Sequence, residues 1–142
     1  MSLITDANAL AIIRAEWSAV VKVREHMRKL MTGPVGSIAD GALHSVVYNL
    51  PLLLAFNVLE RALRALKRQR QIPGSSEQLG DLLDMFQGDP SWLEWSVLRD
   101  GERRCHAIVH SGELFSGVEC LADIEAVEEQ LGAWEILEPG RP

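Results

Sequence analysis

The stretch "GERRCHAIVHSGE", residues 101–113, gathers Arg103, Arg104, Cys105, His106 and His110 within three helical turns. Imidazole exchanges protons near neutral pH, and guanidinium is a permanent cation that forks onto phosphate or carboxylate. Three readings fit this set, the first two of them chemical. In the first, His110 is a general acid or base and an arginine steadies negative charge developing on phosphate. RNA cleavage by the ribose 2′-hydroxyl needs both and requires no metal. In the second, His106 and His110 bind a metal as an i,i+4 pair, with Glu102 one turn back as a third ligand. The HExxH pattern is missing, however, and two adjacent arginines would repel a cation. In the third, this is a polar helix face whose histidines and arginines pair with acids on the last helix.

A helix turning about 100° per residue sorts these side chains. Leu98, Cys105, Ile108 and Val109 gather on the core side. Arg103, His106 and His110 stand at i, i+3 and i+7 and share a stripe on another face. Arg104 lies beside Ile108, away from that stripe. His110 precedes Ser111-Gly112, where the helix should close, so its ring is accessible.

The elements that must position this helix also read as helical. Apolar residues recur at Leu10, Ile13, Trp17, Val20, Val21, Met27 and Leu30, predicting a helix from about 6 to 31, stopped by "TGP". A second helical region is expected over about 37–71, with a stripe through Leu43, Val46, Val47, Leu50, Leu54, Leu59, Leu63 and Leu66. Pro51 should kink or restart it. After the loop "IPGSS", Ser75-x-x-Gln78 has capping-box form ahead of a short helix carrying Leu79, Leu82, Leu83 and Phe86. Asp89 as N-cap with Pro90 behind it should open the helix bearing the histidines. Ser116-x-x-Glu119 should cap a last helix burying Leu121, Ile124, Val127, Leu131 and Trp134 and ending before Pro139. No alternating run is long enough for a sheet. The fold class expected is all-α: a single-domain antiparallel bundle of four main helices plus one short helix over residues 1–142, with its core at about 8–137.

Composition agrees with one globular domain: 142 residues, 47% hydrophobic and 24% charged. "MSLITDANALAIIRAEW" lacks a basic region followed by an apolar run, and "VVYNLPLLLAF" is broken by Asn49 and Pro51. Neither a secretory signal nor a membrane span is expected. Cys105 and Cys120 have no metal-ligand spacing and read as reduced thiols of a cytoplasmic protein. Charge is uneven. Residues 1–71 hold ten Lys/Arg against five Asp/Glu, a net of +5; residues 72–142 hold four against fifteen, a net of −11. That asymmetry fits nucleic-acid contact by the basic half, or attraction between the halves within a chain or across a dimer. Overall acidity opposes tight non-specific nucleic-acid binding.

The text "CHAIVHSGEL" resembles the signature helix of HEPN domains (higher eukaryotes and prokaryotes nucleotide-binding). The motif of that family is an arginine, four to six residues, then a histidine. "LLLAFNVLERALRAL" at 52–66 is similar to the long helix packing beside it. The resemblance implies that His110 takes the motif histidine's place and His106 that of the polar residue, often Asn, Asp or His, that usually follows the motif arginine. The matching arginine position holds Cys105, although Arg104 and Arg103 satisfy the looser spacing, five and six residues before His110. The resemblance further implies a homodimer meeting at this helix and metal-independent cleavage of RNA, in toxin or defence roles. A nucleotidyltransferase-type antitoxin partner is also implied, and neither a cofactor nor a metal. The competing expectation is a non-catalytic HEPN-like binding or dimerisation module. The basic tail Arg61, Arg64, Lys67, Arg68 and Arg70 reads as a solvated helix end, or as a guide for RNA. Trp92 and Trp95 read as packing residues, and His26 and His44 as structural or surface histidines. Asn49 is expected to satisfy backbone groups freed at Pro51. Asn57 is a candidate to face the signature helix.

Overall fold

The computed structural model describes residues 1–32 and 47–138, and these contain five helices and no strand. They are α1 (Ala7–Thr32), α2 (Asn49–Gln69), α3 (Leu79–Met85), α4 (Trp95–Ser111) and α5 (Gly117–Ala133). The protein is an all-α helical bundle. No helix among the described residues is long and apolar enough to cross a membrane.

α2 is the hub, packing against each of the other four helices. Its apolar residues explain why. Leu52, Ala55, Phe56, Leu59, Leu63 and Leu66 recur at three- and four-residue spacing and are buried. Each fully buried leucine contributes about 1.5–3 kcal/mol relative to exposure. The first part of the expected second helical region, with Leu43, His44 and Val46, lies outside the described residues. Val47 and Tyr48 form a turn, and the helix starts afresh at Asn49. Its first backbone bond runs from Leu52 N–H to Tyr48 O at 3.1 Å. Pro51 therefore sits in the first turn, where a missing N–H costs no bond. Leu50, expected on the buried stripe, is exposed. In the last turn of α2, the buried Lys67 donates from Nζ to Gly74 O at 2.6 Å and to Ser76 O at 3.1 Å, tying down the loop that leads to α3.

Two expected helix starts are corrected. The residue capping α3 is Gln78, without a side-chain bond, so Ser75 caps nothing there. α4 begins at Trp95 rather than at Pro90. The intervening residues are committed to tertiary bonds. Asp89 accepts from Ser91 N–H at 2.9 Å and pairs with Arg70 at 2.7 Å. Trp92 and Trp95 donate their indole N–H groups to Phe86 O and Leu83 O, both at 2.7 Å. The buried Gln130 accepts from Leu93 N–H at 2.9 Å, and Trp134 donates to Ser91 Oγ at 2.9 Å. The expected Ser116 cap is present, accepting from Glu119 N–H at 3.3 Å. α5 buries Ile124, Val127 and Leu131 but leaves Leu121 exposed.

Ion pairs join the basic and acidic halves within the chain. Arg14–Glu138, Arg24–Glu128, Arg64–Glu77 and Arg70–Asp89 are ion pairs between the basic and acidic halves.

Candidate functional site

Gly101 on α4 faces the Phe56 ring on α2. A Cβ built at Gly101 would stand 2.3 Å from the Phe56 ring, so any larger residue must displace it. At the other end Gly112 adopts a left-handed φ of 68° and closes the helix just after His110 and Ser111. The loop beyond is held by Asn49. Its side chain donates to Phe115 O at 3.0 Å and accepts from Phe115 N–H at 3.1 Å. Asn49 thus clasps a segment 66 residues away in sequence. The only sequence signal was a polar residue in an apolar run.

The motif side chains divide between two faces. On the inner side Cys105 is buried, and burial pushes its thiol up to about 12; burial likewise raises Cys120 to about 11. Both are free and poorly disposed to ionise. Arg104 turns toward α5 and grips Asp123 with two bonds, Nε to Oδ2 at 2.6 Å and a terminal nitrogen to Oδ1 at 2.7 Å. Asp123 is 4% exposed and Arg104 28%. The hydrogen bond to Asp123 raises the Arg104 pKa further and outweighs burial. Arg104 is therefore committed to joining α4 to α5, and of Arg103, Arg104, His106 and His110 it alone shows the pairing with an acid of the last helix expected of a polar helix face. Val109, expected in the core, is exposed in the last turn.

On the outer side the stripe forms as its spacing requires. Arg103 is 66% exposed and pairs with Asp100 at 3.1 Å. His106 and His110 are both exposed, and their rings stack with centroids 4.1 Å apart and an interplanar angle of 31°. Arg103 and His106 also line a shallow groove of about 470 Å³ between α2, α3 and α4. The groove shares its walls with Glu60, Asp81, Arg99 and Glu102, so it is more acidic than basic. Glu102 is engaged by Arg99, which also binds Asp84 at 3.0 Å, so Glu102 does not join the histidines. Among the described residues no group of three or more His, Cys, Asp or Glu side chains is placed to hold a metal.

The remaining candidates fall elsewhere. The basic tail is not an open cationic patch. Arg61 pairs with Glu16, Arg64 with Glu60, Arg68 with Glu77 and Arg70 with Asp89, while Lys67 is buried. Asn57 is exposed and lines a groove between α1 and α2 with Glu16 and Arg61, so it does not face α4. His26 is exposed on α1, consistent with a surface histidine. Trp92 and Trp95 pack against the core. A feature the pattern of residues did not reveal is the run of exposed apolar side chains Val109, Leu114, Val118 and Leu121 where α4 turns into α5.

Fold and site together define a helical bundle with one open Arg–His stripe on its fourth helix. Compared with protein-family models, curated proteins and solved structures, the chain matches none.

Proposed function

We propose that the protein is a HEPN-like helical module that works by binding and dimerisation, meeting its partner through the outer face of α4 and the adjoining α4–α5 corner. The observation that carries this reading is the grip of Arg104 on buried Asp123. The arginine nearest to motif spacing faces away from the histidines and is already neutralised. The exposed Val109, Leu114, Val118 and Leu121 support it further, because they leave apolar surface in water between residues 109 and 121 that an interface would cover. A second copy of the chain is the partner proposed. The test is sedimentation of the purified protein. A mass of two chains that falls to one on Leu114→Asp/Val118→Asp supports the module. A single chain at all concentrations would sink it.

A second reading is a metal-independent ribonuclease of toxin or defence type. It is favoured by one specific observation, the exposure of His106 and His110 with Arg103 a turn away. His110 would act as general acid or base, with His106 supporting it and Arg103 steadying charge on phosphorus. Attacking and leaving oxygens lie roughly in line across phosphorus. Two stacked rings on one side cannot bracket such a path, so this reading also needs the second copy. RNA is its substrate, and a nucleotidyltransferase-type antitoxin its implied partner. Cleavage of total RNA in EDTA by the wild type, lost in His110→Ala, would establish it. No cleavage by either leaves the binding module.

A further inference from the structure

We propose that His106 and His110 form a chelating half-site for a divalent transition metal of the zinc or copper class, completed by the same two histidines of a second copy. The two imidazoles stand one helical turn apart in the open, with centroids 4.1 Å from one another and planes 31° apart. A metal binds each imidazole nitrogen at about 2.0–2.1 Å along a lone pair in the ring plane, so the two stacked rings must turn apart to face one ion, a change of side-chain torsion open to exposed residues spaced i,i+4. Beyond their mutual ring contact, neither histidine has a hydrogen bond or ion pair among the described residues, so neither has to give up a partner to take a metal.

Arginine charge is the main opponent of a cation here, and both arginines are answered. Arg104 lies on the opposite side of α4 against Asp123, and Arg103 is paired with Asp100. With Glu102 held by Arg99, the chain supplies two nitrogen donors and no third. Zinc in a closed site takes four ligands in a tetrahedron. A two-fold axis beside the stripe brings two plus two imidazoles together, because such an interface places the same residues of both copies against each other. Four neutral nitrogens suit zinc or copper and not magnesium or calcium, which require oxygen ligands. The completion by a second copy rests on the dimerisation reading above. In the ribonuclease reading, a metal here would occupy the nitrogens needed for proton transfer and would inhibit cleavage.

The experiment is a titration of the EDTA-stripped full chain with zinc chloride. It is followed by calorimetry for stoichiometry and by sedimentation velocity for mass, with magnesium chloride as control. One zinc per two chains, taken up by a dimer whose mass is already that of two chains in EDTA, and no response to magnesium are expected. His106→Ala and His110→Ala should each bind zinc at least about 100-fold more weakly, since losing a ligand exceeds the 10–100-fold cost of losing an outer partner. Their helical circular dichroism should be unchanged, both rings being exposed. Zinc bound one per chain at constant mass would overturn the shared site, as would equal binding by the histidine variants. A dimer that forms in EDTA and ignores zinc would overturn the metal site while leaving the dimerisation reading intact.

Discussion

Arg103 and Arg104 are neighbours in sequence and opposites in the molecule. Arg104 is held by two bonds to a carboxylate that is 4% exposed, across the α4–α5 contact. Arg103 is 66% exposed and touches a carboxylate on its own helix that is 56% exposed. The same chemical pair thus appears once in a nearly dry setting and once in water. Exposed pairs are worth about 0–1 kcal/mol because water screens them and side-chain entropy opposes them. Stranding one member of a buried pair costs several kcal/mol, since a charge is left without solvent or partner. Exposure therefore assigns one arginine to the fold and leaves the other to the surface stripe.

The largest effect that would test this contrast is on stability. Arg104→Ala strands the Asp123 carboxylate and should lower the unfolding free energy by about 3 kcal/mol, read by urea denaturation. A loss near zero would mean that the pair opens to solvent. Gly101→Ala tests the other anchor of α4. Its methyl would press into the Phe56 ring, and a cost of about 1–3 kcal/mol is expected in the same assay. An unchanged midpoint would show that α4 can slide outward freely.

The loop that seats α4 offers a test by pH. Asp89 is held down to about 2, from an ordinary 3.8, chiefly by its hydrogen bond with Ser91 and then by Arg70. A folded pKa below the unfolded one gives stability that is fully present above 3.8 and is lost as pH falls toward 2. Asp89→Asn should remove that part of the acid sensitivity, seen as a flatter unfolding midpoint between pH 4 and pH 2. An unchanged acid limb would show that other carboxylates carry it.

Thiol chemistry separates the two faces in another way. Cys105 and Cys120, raised by burial, should resist iodoacetamide at pH 8 until the protein unfolds, at a labelling rate that follows denaturation. Rapid labelling of the native protein would place them nearer to solvent. The smallest effect belongs to Arg103→Ala, which should move stability by no more than about 0.5 kcal/mol.

How much of this was legible in the sequence depends on how far apart the interacting residues lie. The end of α4 at Gly112, the Ser116 cap and the Arg103–His106–His110 stripe follow from local rules, because their determinants lie within a few residues. The false starts at Ser75 and Asp89 have correct local form, but tertiary partners compete. Asp89 is recruited by Arg70 and Ser91, and α4 waits until Trp95. Asn49 was readable as a buried amide needing partners, but not as the clasp of Phe115, 66 residues away. Asp123 as the partner of Arg104 was foreshadowed only as pairing with acids of the last helix. The exposure of Val109 and Leu121 was hidden too, since periodicity ranks faces of a helix without saying where its neighbours end.

The central claim, that adjacent arginines serve the fold and the surface separately, is tested most directly by two double-mutant cycles. They measure the coupling of Arg104 with Asp123 and of Arg103 with Asp100 by urea denaturation. The account predicts a coupling of about 2 kcal/mol or more for the first and below about 0.5 kcal/mol for the second. Equal couplings, or a larger one at Arg103, would contradict it.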